Sequence, residues 1–228
     1  GNDTTAINAA ITAAKTGRGT VYFPPGHYSV TSLNMASANG VTLQGAGIDA
    51  TWIDAFTGAT NMIDCTGATG VVIRDMQIGQ GSMTPTPATG ILIACDNNDG
   101  RDRFHLENLY VAGKFTKAAL YIYGMHSSDA VNCDFYNHRT AGGTAVYITS
   151  QNVASAASDY LTISSAAIGT SDWTFTACEM HDFTNAGASG FPVKLNGTTQ
   201  PVAQLRWIGG NISSSGNGVS GADQYIFV

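Results

Sequence analysis

The chain has 228 residues, of which only 11% are charged, with 27 Gly and a net charge of −6. Its ten Lys and Arg are scattered singly, so no basic stripe offers itself to nucleic acid, and no apolar run reaches the ~18 residues of a membrane span. Low charge with abundant Gly, Thr, Ser and Asn suits stacked strands and turns in one elongated domain.

The first predicted element is a helix over 3–17. Asp3 is its N-cap, Ile7, Ala10, Ile11 and Ala14 give an i, i+3, i+4, i+7 stripe, and Gly17 is the stop. The stripe is apolar enough to close the end of a core. A strand over 20–23 then meets the turn Pro24-Pro25-Gly26 and resumes. These segments make residues 1–40 an N-terminal cap.

From residue 41 to 228 one unit recurs. In 71–78, apolar residues recur at every second position as Val71 and Ile73, polar Arg74 follows, Asp75 interrupts, and Met76 and Ile78 resume. Two short strands therefore meet at a one-residue corner. The unit returns at 104–111, 130–137, 173–180 and 205–212, after an earlier copy at 41–48, which is the mark of a coil stacking on itself. The corners align as Asp75, Asn108 and Asp134. They read as turn residues bonding their own backbone, a structural ladder rather than a catalytic row. Between the units lie apolar strands at 62–65, 91–93, 120–123, 146–149, 192–195 and 225–228. The last has no cap after it, so either the chain is a segment of a longer protein or a partner covers the end. No signal peptide is visible, and the abrupt start is compatible with a removed leader.

The four cysteines form no Cys-x-x-Cys pair, so zinc is not implied. The register puts Cys178 inward and Cys133 outward in another column, apart from each other. Cys65 and Cys95 sit where adjacent coils bring them near, and a bond between them stays open. Four reduced thiols packed as small hydrophobes is the preferred reading, in keeping with folding in a reducing cytoplasm.

Residues 3–14, then Gly19-Thr20-Val21-Tyr22-Phe23-Pro24-Pro25-Gly26-His27-Tyr28, then 41–47, resemble the start of the pectate-lyase-like right-handed β-helix superfamily, which includes many phage tailspikes and depolymerases. The resemblance is specific over about the first fifty residues, and beyond them the coil pattern carries it. It implies an all-β, single-stranded right-handed parallel β-helix with three parallel sheets and an N-terminal capping α-helix. By analogy the strands between units form the first sheet, and each unit supplies the second and third. The catalytic motifs are not carried over. Trp52-Ile53-Asp54-Ala55 has Ala where the calcium-dependent lyases have His, and their Arg-x-Pro-x-x-Arg and the polygalacturonase signatures are absent.

Four groups of residues are candidates for chemistry. Tyr121, Tyr147, Lys194 and Phe227, preceded by Leu92, share one outward column on the first sheet. Exposed tyrosines in a row suit stacking on sugar rings or a subunit interface. Tyr110, Tyr136 and Glu179 form a similar column on the third sheet. Just beyond it His138-Arg139 aligns with His181-Asp182, placing two imidazoles roughly 5 Å apart. A lyase on a uronic acid needs a cation at the carboxylate, a base and an acid. Arg139 or Lys194 fits the first role, His138 or His181 the second, and Tyr121 or Tyr147 the third. A surface His pair and a surface ion pair are the structural alternative. The fourth group is the charged loop 96–103. Asp96, Asp99 and Asp102 there can hold Ca²⁺ or serve glycoside hydrolysis, although Arg101 and Arg103 balance the same charges.

The expected function is a carbohydrate-active β-helix module. Its first form is a homotrimeric tailspike-type depolymerase that binds and cleaves a bacterial surface polysaccharide, by lyase or hydrolase chemistry. It would act on a virion tail or outside the cell after folding in an infected host's cytoplasm. The second form is a non-catalytic structural or receptor-binding module, and the third a secreted monomeric lyase. No cofactor is required, Ca²⁺ being the one candidate, and no nucleic-acid or membrane partner is implied.

Overall fold

A computed structural model describes residues 1–79, 87–94, 101–138, 143–150, 169–182, 192–197, 202–214, 219–220 and 225–227. The chain is a right-handed parallel β-helix with three faces, and the described residues include one helix. Every ladder among the described residues is parallel. The first face is a 7-stranded sheet, and the second and third hydrogen-bond across the corner as one 13-stranded sheet.

The helix spans Thr4–Gly17 and lays Ile7 and Ile11 on the open end of the core. Ala10 of the predicted stripe faces solvent. Asp3 makes no side-chain cap. Its carboxylate instead accepts from the Ser29 N–H at 2.9 Å, tying the helix start to the first coil. The left-handed residue that ends the helix is Arg18, φ 52°, one beyond Gly17.

Corners need a left-handed residue, and Asp75, Asn108, Asn132 and Ala177 supply it at φ 51–61°. Asn132 donates through Nδ2 to Asn108 Oδ1 at 3.1 Å, and Asn108 likewise to Asp75 at 2.9 Å. The predicted ladder is therefore present, but its third rung is Asn132, not Asp134. The copy at 130–137 is out of register by two residues: Ala130 pairs with Leu106 and with Phe175, and Asp134 pairs with Tyr110 and with Glu179. With Asn132 at the corner, Ala130 and Phe135 both enter the core.

Two more expectations change with the observed register. Cys133 and Cys178 share one inward column, each 2% exposed, and their thiols donate to the carbonyls of Val131 and Ala130. Cys65 is buried with a free thiol, and Cys95 lies outside the described residues. The strand Tyr225–Phe227 pairs with Leu205–Ile208 on the second face, and Phe227 sits beside Trp207. The first-face column therefore runs Asn34, Asp64, Leu92, Tyr121, Tyr147, Lys194 and Ser220.

Inside the coils, apolar residues from all three faces form one continuous core. Phe175 and Trp207 stack in it at 5.3 Å and 11° on successive coils.

Candidate active site

The third face brings together the acidic and imidazole groups. Strands Asp134–Asn137, Glu179–Asp182 and Asn211–Ser214 lie side by side, following His105–Gly113. Outward positions alternate along a strand, so Tyr110, Asp134 and Glu179 form one column and Tyr136, His181 and Ser213 the next. Tyr136 was expected in the column of Tyr110, and the two-residue register difference moves it over.

His181 is the hub. Its Nε2 lies 2.9 Å from Glu179 Oε2 and 3.8 Å from Asp134 Oδ1, and its Nδ1 lies 2.5 Å from Ser213 Oγ. A proton on Nε2, donated to Glu179, with the Ser213 hydroxyl donating to Nδ1, satisfies every contact. Carboxylate oxygens of Asp134 and Glu179 and an imidazole nitrogen lie within 4.8 Å of one another. This trio also has donor atoms of the kind a divalent cation takes, but both imidazole nitrogens are already engaged. The arrangement is that of an acid–base array.

Burial raises the Asp134 carboxyl to about 6; His181 opposes the shift and Glu179 adds to it. Asp134 Oδ1 is buried without a hydrogen-bond partner among the described residues, as suits a group that exchanges a proton. Burial, then the charge of Asp134, raises the phenols of Tyr110 and Tyr136, which stay protonated donors at neutral pH. Burial, with Lys114 nearby, lowers His138 and keeps its imidazole neutral. A cleft of about 250 Å³ opens over Asp134 and Glu179, walled by Ile48, Leu109, Tyr110 and Asn132.

His138 and His181 are not adjacent as expected. His181 sits opposite Tyr136, whose ring contacts both imidazoles, 4.0 Å from His138 along its own strand and 5.5 Å from His181 on the next coil. Arg139 lies outside the described residues, and Asp182 pairs through its backbone with Asn137. Asp96 and Asp99 also lie outside them, while Asp102 belongs to a two-residue strand beside Met125–His126. Tyr121 and Tyr147 are neighbours as predicted, rings 5.0 Å apart and edge-on, with Lys194 Nζ 5.3 Å from the Tyr147 centroid. They are not exposed, however. Both are 0% accessible and form a second apolar cluster with Leu92, Ala94, Ala118 and Tyr123. Alternation tells which way a ring points but not whether that face is covered. Sequence reasoning also set Asp134 aside as a corner. The signal that would have found it is the pairing of Asn132 with the other corner amides.

A family model described as rhamnogalacturonase A/epimerase, pectate lyase-like, matches residues 1–191. The chain belongs to this family. Among solved structures, this pectate lyase-like chain resembles the enzymatically active domain of tailspike protein 2 of bacteriophage CBA120, with a TM-score of 0.61 and 16% identity, over 92% of this chain and 28% of that one. It also resembles the catalytic domain of Agl-KA, with a TM-score of 0.52 and 14% identity, over 100% of this chain and 44% of that one. At these identities the likeness is one of fold, and the pectate lyase-like chain spans less than half of either protein. No curated protein matches its sequence.

Proposed function

We propose that this protein binds a polysaccharide across its third face and cleaves it by hydrolysis, with Asp134 as the proton donor and Glu179 as the partner carboxylate. The observation that carries the reading is the pair itself: two carboxylates within 4.8 Å over a cleft, one held partly protonated near neutral pH by burial. Glycoside hydrolysis needs one protonated and one ionised carboxyl, and a separation of roughly 5 Å is that of the retaining mechanism. In that mechanism Asp134 protonates the departing glycosidic oxygen while Glu179 attacks the anomeric carbon. Water then releases the sugar, with Asp134 returning as base. His181, held by Ser213, orients Glu179 and is a positioning residue. The phenols of Tyr110 and Tyr136 offer hydroxyl donors beside the cleft.

The tailspike domain that shares the fold supports placing the protein on a virion, and our reading is that it acts there as a homotrimer on a bacterial surface polysaccharide. A panel of such polysaccharides, assayed for new reducing ends and for unsaturated uronate, separates the chemistries. Hydrolysis yields reducing ends alone, whereas lyase action yields both. Binding without either product supports a receptor-binding module instead. Light scattering should give three times the monomer mass, and a monomer removes the trimer from the account.

A further inference from the structure

A second cavity differs from the acid–base array in character. A trough of about 680 Å³ runs between the start of the helix and the outer side of the first face, where Leu33–Asn34, Asn61–Asp64 and Thr89–Ala94 lie side by side. That size is within the ~300–1,000 Å³ of small-molecule sites. Apart from Ala36 and Leu92, its lining is amide, hydroxyl and one carboxylate, Asp64, and none of the lining residues is cationic.

Most of these polar groups are locked to one another. Asn8 donates to the Ser32 carbonyl at 3.1 Å and accepts from the Asn34 N–H at 2.8 Å. Thr4 and Thr31 bond through their hydroxyls at 3.1 Å. Two valences are left facing the trough. The Asn34 oxygen is fixed by the Ala36 N–H at 3.0 Å, so its Nδ2 group is held in place with no acceptor among the described residues. Asp64 Oδ1 accepts from the Thr66 N–H and hydroxyl at 3.0 and 2.6 Å, while Oδ2 has only a long contact of 3.4 Å with Asn61. Asn34 and Asp64 are in register on neighbouring coils, hence about 4.8 Å apart.

We infer that this trough is a saccharide-docking site for a neutral hexose ring, whose vicinal diol is read by Asn34 and Asp64. One hydroxyl accepts from the Asn34 amide and its neighbour donates to Asp64 Oδ2. The nearest cation, Lys15, is held on the Ala36 carbonyl at 2.8 Å, no lining residue offers another to a uronate, and Asp64 repels one, so the site selects neutral sugars. It lies on the first face, apart from the cleavage chemistry proposed for the third, and stands whether or not that chemistry does.

The test is saturation-transfer NMR on the full chain with maltotetraose, cellotetraose and mannotetraose, and with tetragalacturonate as the acidic comparison. At least one neutral tetraose should give transfer and shift the Asn34 side-chain amide resonances of the wild type. Asn34→Asp keeps the oxygen that the Ala36 N–H needs but removes the donors. It should weaken binding about five- to ten-fold, as should Asp64→Asn. Absence of transfer from all three neutral sugars, an Asn34 amide that stays put during titration, or stronger binding of tetragalacturonate overturns the assignment.

Discussion

At neutral pH the folded chain keeps Asp134 in a place that resists its charge. Its carboxyl sits at about 6 against an ordinary 3.8. A raised carboxyl means that protonation favours the folded form. The group's contribution is therefore fully present below about pH 4 and lost as pH rises through about 6. Two units correspond to ~3 kcal/mol at most, and for a side chain 31% exposed the effective cost is nearer ~1 kcal/mol. Asp134→Asn should accordingly raise the melting temperature at about pH 8 by a few degrees and change it little at about pH 4. Equal melting at both values would contradict the burial argument. A residue that costs stability where activity is needed is the pattern of a functional group.

At the scale of the coil, the corner ladder sets the register, and its rungs are unequal. Asn132→Ala removes the bond to Asn108 and leaves a β-carbon in the left-handed region, so a loss of about 1–2 kcal/mol is expected. Ala177 occupies the next corner at φ 51°, exposed and without an amide. Ala177→Asn should extend the ladder and stabilise by up to about 1 kcal/mol, read by chemical denaturation of both variants. At Gly210, φ 80°, an added β-carbon would lie 2.0 Å from the Cys178 carbonyl. Gly210→Ala should therefore cost about 3 kcal/mol or more, with the last coils losing hydrogen-exchange protection first. The ladder also explains what could be read in advance. Alternation and corners repeat, so the β-helix and most of its register were legible from residues such as Val71, Ile73, Met76 and Ile78. The site was not, because Asn132 and Asp134 are both good turn residues two positions apart. Choosing the later one hid Asp134, misplaced His138 against His181, and separated two cysteines that align on successive coils.

At the scale of the whole molecule, stacked coils expose a core at each end, and the helix closes one of them through Ile7 and Ile11. Ile11→Asp buries an unpaired carboxylate there. It should cost about 3–5 kcal/mol and turn the cap into a sticky end, visible as aggregation on gel filtration. A soluble variant that melts like the wild type would mean that the helix is dispensable for closure. With the scaffold so held, two faces remain for ligands: a neutral trough on the first and the acid–base cleft on the third. The most direct measurement of the central claim compares reducing-end release from a cleaved surface polysaccharide by the wild type and Asp134→Asn across about pH 4 to 8. The account predicts that wild-type release falls as pH rises through about 6, as Asp134 loses the proton it must donate. It also predicts that the variant is slower by about 100-fold or more at about pH 4 to 5, where the wild-type carboxyl holds its proton, and that the gap narrows above about pH 6. An Asp134→Asn rate equal to that of the wild type at about pH 4 to 5, or release that climbs as pH rises through about 6, would contradict it.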